Sequence, residues 1–190
     1  MKEIIADLFP ETKFDPTIDV NTRLTLRATD QWCRQRARVS KWDLDVAASD
    51  KFHLADRWFT KEQNGLEQEW NADAVWCNPP YDVLEPWFMK AWREVLMLRA
   101  RLVAILIPGD RPEQPFWQHW VEPYRDGSDY PHPGFWNLQI AAKERVDDRI
   151  RMRTSYPPGR QKFGHEGDPL GLNVGSPGWP SVLVVIERLP

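Results

Sequence analysis

Val75-Trp76-Cys77-Asn78-Pro79-Pro80-Tyr81-Asp82 ends one apolar stretch and opens a corner, and the rest of the chain takes its place around that junction. Ala74 to Cys77 reads as the end of a short buried strand. Neither Pro79 nor Pro80 carries an amide hydrogen, so no ladder continues through them and the strand stops at Asn78. The residue ahead of each proline is driven toward extended backbone, which leaves Asn78-Pro79-Pro80 a stiff corner with little freedom to lose on ordering. A loop at the carboxyl end of a strand is where open α/β sheets hold their ligands.

Asn78 offers a side-chain carbonyl and Pro79 a backbone carbonyl, two acceptors suited to one amino group bearing two hydrogens. Tyr81 adds a flat ring. Paired acceptors beside a stacking surface suit a planar substrate with an exocyclic amine, of which an adenine turned out of its duplex is the leading case. The same residues also read as an Asn-Pro turn closing a strand, in a chain with 17 prolines among 190 residues. The tetrapeptide alone leaves both readings open.

Further blocks narrow the choice: Trp42-Asp43-Leu44-Asp45-Val46-Ala47-Ala48-Ser49, Arg57-Trp58-Phe59-Thr60, Asn64-Gly65-Leu66 and Trp70, all ahead of Asn78-Pro79-Pro80-Tyr81. In order and spacing, from about Trp42 to Ala91, they resemble the phage-type Dam family of DNA N6-adenine methyltransferases, and Pro180 to Ile186 resembles that family's closing strand. The resemblance implies a compact α/β, Rossmann-like methyltransferase fold, with a mostly parallel sheet, helices on both faces and antiparallel last strands. It implies S-adenosylmethionine as cofactor, double-stranded DNA as partner, and a phage- or prophage-borne protein acting in the cytoplasm of a bacterial host. Carried over residue by residue, it makes Asn78, Pro79, Pro80 and Tyr81 catalytic and Asp45, Ala47, Ala48 and Asn64 cofactor-binding.

Two departures bear on that transfer. The wider methyltransferase class has a Gly-x-Gly loop after its first strand, whereas here Ala47 and Ala48 are the small residues that permit close approach. The family segment commonly reads Asp-Gly-Leu, and Asn64 keeps its shape without its charge. Asp45 also reads as the cap of the next turn. These departures keep a catalytically inactive nucleic-acid-binding module of the same fold in view, and the motif equally admits an RNA base or a protein glutamine as the amine.

A chain of this length points to one domain over residues 1–190, and 42% hydrophobic with 28% charged residues argues against overall disorder. The formal charge of -3 gives no global attraction to a polyanion, so duplex binding requires a local basic face. The densest candidate lies between Lys143 and Lys162, where Arg149, Arg151 and Arg153 are assigned to DNA; a charged edge strand is the alternative. A second arginine face spans Arg23 to Arg38. Cys33, Cys77 and the four histidines show no metal-ligand spacing, and no metal is expected. No leader and no membrane-length apolar run is seen, and the oligomeric state is not readable.

In chain order, residues 1–21 read as an arm, Thr22 to about Arg38 as a helix and Lys41 to Ala48 as a strand with one apolar face. Leu84, Trp87, Phe88, Ala91, Val95 and Leu98 fall at helical spacing. Arg101 to Pro108 predicts a strand buried on both faces, with a short helix or loop over Asp110 to Asp129 and a strand over Gly134 to Ala142. Residues 159–178 read as a long loop, and Ser181 to Ile186 as the strand closing the sheet.

Overall fold

Leu102 to Ile107 has no polar side chain to offer water, and these six residues form the fully buried centre of β4 (Ala100–Pro108). Here a computed structural model describes residues 24–125, 150–165, 168, 170–172 and 176–190. The expected arm, the expected strand over Gly134 to Ala142 and Arg149 lie outside the described residues.

On one side β4 pairs parallel with β3 (Ala72–Cys77), which pairs parallel with β2 (Leu44–Asp45). On its other side β4 pairs antiparallel with β7 (Ser181–Arg188), which pairs antiparallel with β5 (Ile150–Ser155). The order is β2-β3-β4-β7-β5. The sheet is therefore mixed, which corrects the expectation of a mostly parallel one. A parallel return needs a crossover, usually helical, and no helix is described between β5 and β7, which run antiparallel; β7 also runs against β4. The last strand of the sequence lies inside the sheet, where Ser181 to Glu187 are all buried.

Side-chain alternation sorts the strands into two core layers. Val75, Cys77, Val103, Ile105, Val184 and Ile186 pack against Trp87, Phe88, Ala91 and Val95 of α2 (Leu84–Leu96) and against Phe116 and Trp120 of α3 (Pro115–Trp120). Their neighbours Ala74, Trp76, Leu102, Ala104, Leu183 and Val185 pack on the opposite face with Trp42 and with Cys33 and Ala37 of α1 (Arg27–Ala37). Helices thus cover both faces, as expected. The α2 helix stops at Leu96 because Leu98 turns left-handed at φ 61° and its amide closes onto the carbonyl of Val95.

The α1 helix starts later than its sequence suggests. Leu24 and Thr25 are extended and form β1, which pairs antiparallel with β6 (Phe163–Gly164). The stretch read as a loop over 159–178 therefore contains a strand. Asp30, on the first turn of α1, accepts a hydrogen bond from Trp42 Nε1 at 2.7 Å and pairs with Arg34, which ties the helix to the approach to β2.

Candidate active site

The carboxyl ends of β2 and β3 lie side by side, since Asp45 is in register with Trp76 and the amide of Val46 donates to the carbonyl of Trp76 at 3.0 Å. Beyond those ends the chain leaves the sheet in two loops, Val46 onward and Asn78 onward. Between them opens a cleft of about 710 Å³, whose wall includes Leu24, Thr25, Asp45, Ala47, Ala48 and Asn78. Three residues assigned from the sequence to a cofactor and one assigned to an amine thus share one cavity.

Asp45 is 4% exposed, and both its carboxylate oxygens are engaged. Oδ1 accepts the amide of Ala47 at 3.3 Å and Oδ2 that of Leu54 at 3.0 Å, so the carboxylate organises the loop between them. Burial pushes its carboxyl up to about 6, against the pull of those two amides and of His53. Backbone bonds extend the scaffold: Asp45 donates to the carbonyl of Arg57 and accepts from the amide of Phe59, so residues 55–59 run beside β2. His53, another residue of the cleft wall, stacks flat on Trp58 with ring centroids 3.8 Å apart.

Asn64 is not in the wall. It is left-handed at φ 51°, a conformation asparagine tolerates, and its side chain bonds Glu67 and the amide of Leu66. The next residue must be glycine, because a Cβ on Gly65 would collide with the carbonyl of Val46. Asn64-Gly65 builds the turn that follows Thr60, Lys61 and Glu62, and those three do line the cleft.

At the corner itself, the Tyr81 hydroxyl donates to Asn78 Oδ1 at 2.9 Å and Asn78 Nδ2 donates to Thr25 Oγ1 at 3.2 Å. The Tyr81 ring, read from sequence as a stacking face, is 5% exposed and meets Phe163 edge-on, with centroids 6.5 Å apart at 78°. Pro79 is buried and Pro80 half-buried, as a rigid corner requires.

Arg151 and Arg153 lie on β5, at the edge of the described sheet. Both bond Glu187 Oε1, at 2.9 and 2.7 Å, and Arg153 also donates to the carbonyl of Arg36. Burial works to raise the Glu187 carboxyl, but the hydrogen bonds and charge of Arg153 and Arg151 outweigh it and hold it below the usual range. This acid was invisible from the basic stretch alone, since it faces Arg151 only through the register of β5 with β7.

Sequence reasoning missed Thr25 and Phe163. The helical reading from Thr22 takes in Thr25, although the alternation Leu24-Thr25-Leu26 with a β-branched centre is a signal for extended chain. Phe163 sat in a stretch rich in glycine and proline. Among the described residues, no group of three or more His, Cys, Asp or Glu side chains is placed to hold a metal ion. Nor is any described helix long and apolar enough to cross a membrane.

A family model described as DNA N-6-adenine-methyltransferase (Dam) matches residues 28–123, just over half of the chain. A DNA N-6-adenine-methyltransferase of Escherichia phage T1 is 32% identical over 74 residues, 38% of this chain and 30% of that protein. One of Haemophilus phage HP1 is 30% identical over 66 residues, 35% of this chain and 38% of that protein. The matched stretch spans about a third of either relative. A solved protein of Pyrococcus horikoshii, provisionally called an RNA methyltransferase, superposes with a TM-score of 0.40 at 10% identity, covering 90% of this chain and 77% of that one.

Proposed function

The chain belongs to the DNA N-6-adenine-methyltransferase (Dam) family, and we propose that it methylates the exocyclic amine of a flipped adenine in double-stranded DNA, with S-adenosylmethionine as donor. The observation that carries this reading is the shared cleft: Asp45, Ala47 and Ala48 on one wall, Asn78 on another. We read the layered α/β sheet as a Rossmann-like methyltransferase domain over residues 1–190, with the cleft at the carboxyl ends of its parallel strands.

The residues present fit the cofactor. A cavity of about 710 Å³ is the size of a small-molecule site. Ala47 and Ala48 leave the backbone approachable, and the Asp45 carboxylate supplies acceptors for hydroxyl groups. Asp45, Ala47 and Ala48 would hold S-adenosylmethionine, with Asn64 shaping the turn behind Thr60 to Glu62. When bound, the cofactor supplies an electrophilic methyl group.

The chain's own work is to hold and polarise the amine. Asn78 Oδ1 accepts from Tyr81 at 2.9 Å, and a carbonyl oxygen can accept more than one hydrogen, so in this reading it also takes one from the amine. The Pro79 carbonyl takes the other. Accepting both hydrogens would raise electron density on the nitrogen, which would take the methyl group as the methyl–sulfur bond of the sulfonium breaks to leave a neutral thioether, with one amine proton passing to solvent. In this reading, orientation of the amine by fixed dipoles would supply much of the rate. For the duplex, Arg149, Arg151 and Arg153 are the proposed phosphate contacts, Arg151 and Arg153 both bonding Glu187.

Two measurements test this reading: calorimetry with S-adenosylmethionine, and transfer of a labelled methyl group onto unmethylated duplex DNA. Binding without transfer to DNA, but with transfer to RNA or to protein, would move the activity to that substrate. No cofactor binding would leave a nucleic-acid-binding module.

A further inference from the structure

Directly paired residues on antiparallel strands share one face. Thr25 and Phe163 are such a pair, and their side chains address the same corner: Thr25 Oγ1 meets Asn78 Nδ2, and the Phe163 ring meets the ring of Tyr81. The β1–β6 ribbon is anchored from behind. Thr29 Oγ1 donates to Gln161 Oε1 at 2.8 Å, joining α1 to the approach to β6. Gly171, left-handed at φ 62°, packs so closely under the ribbon that a Cβ there would come within 3.0 Å of the Phe163 carbonyl.

An asparagine amide turns readily about its last side-chain bond, so its plane is set by what its two ends hold. Here Tyr81 holds the oxygen and Thr25 holds the nitrogen. We propose that Thr25 is a positioning residue: carried on the β1–β6 ribbon, it helps to fix the amide plane of Asn78 so that Oδ1 faces the target amine. Tyr81 serves the same end through its hydroxyl. Because Leu24 and Thr25 also form part of the cleft wall, the ribbon joins the cofactor side of the site to the amine side. The inference rests on the methyl-transfer reading for its effect on rate, and on geometry alone for its effect on Asn78.

The test compares Thr25→Val, which keeps the shape and removes the hydroxyl, with Thr25→Ser, which keeps the hydroxyl. In Thr25→Val, kcat on duplex DNA should fall about tenfold, the loss of one net hydrogen bond, while KM for S-adenosylmethionine stays within about twofold. Thr25→Ser should recover most of that rate. Independently of activity, the side-chain amide of Asn78 in a nitrogen-15 correlation spectrum, assigned by its absence in Asn78→Ala, should exchange faster with solvent in Thr25→Val and not in Thr25→Ser. An unchanged Asn78 amide in Thr25→Val overturns the inference, as does a Thr25→Ser enzyme as slow as Thr25→Val. An amide that responds as expected in a protein that methylates no DNA supports the positioning role and removes the reaction instead.

Discussion

Asn78 and Asp45 occupy equivalent places, one at the end of β3 and one at the end of β2, and they differ in what burial does to them. Asn78 is neutral at every pH, and its value lies in the accepting oxygen of its side chain. Asn78→Ala should lower methyl transfer by at least roughly 10²-fold, as loss of one electrostatic partner of a reacting group does, while S-adenosylmethionine affinity measured by dialysis stays unchanged. Asp45 is a buried acid raised to about 6 from an ordinary value of 3.8, so between those values the folded chain holds a proton that the unfolded chain has lost. Its contribution to stability therefore declines as pH rises from about 4 to about 6 and is constant above. Unfolding free energies of the wild type minus those of Asp45→Asn should show that decline; a difference that rises across the same window contradicts it. Cofactor binding runs the other way, since hydroxyl donors need the ionised carboxylate, and affinity should fall as pH drops through about 6. At this scale Asp45, Ala47, Ala48 and Asn78 were legible because each follows directly from the end of a strand. Thr25 was not, because its role depends on pairing with a segment far along the chain.

At the scale of elements, β4 was legible from six apolar residues in a row, and α2 from its spacing. Leu102→Ala, at a fully buried position in β4, should destabilise the fold by roughly 2–5 kcal/mol in denaturant titration. The place of β7 was not legible: an apolar run says that a strand is buried, not which neighbours bury it. That blind spot also hid Glu187 from the basic stretch. Alanine at both Arg151 and Arg153 would strip this buried acid of its cations and confound folding with binding. Glu187→Gln is the cleaner probe, because it removes the charge that competes with phosphate. Duplex affinity should rise and its salt dependence steepen, by about one unit of slope for each further phosphate that the arginines neutralise. An unchanged slope would place the DNA surface elsewhere, with the arginine face of α1 next in line.

For the whole molecule, a net charge of -3 and the proposed polyanionic substrate are reconciled only by local geometry. The family match ends at residue 123, and β5, β6 and β7 follow it. Those later strands are no appendix. β7 completes the core against β4, and β6 reaches back through β1 to the Asn78 corner. The layering of helices on both faces was readable from period and apolarity. The antiparallel last strands were expected from the family resemblance and are present, but that they make up half of the sheet's pairings was not readable, since the direction of a strand leaves no mark on its composition.

The most direct measurement is to incubate the protein with unmethylated duplex DNA and labelled S-adenosylmethionine, digest the DNA to nucleosides and identify the one that carries the label. A corner in which Asn78 and the Pro79 carbonyl hold an adenine amine, with Pro80 and Tyr81 keeping it in place, puts the methyl group on N6 of deoxyadenosine and loses that product in Asn78→Ala. Label on deoxycytidine, or N6-methyldeoxyadenosine formed as well by Asn78→Ala as by the wild type, would contradict it.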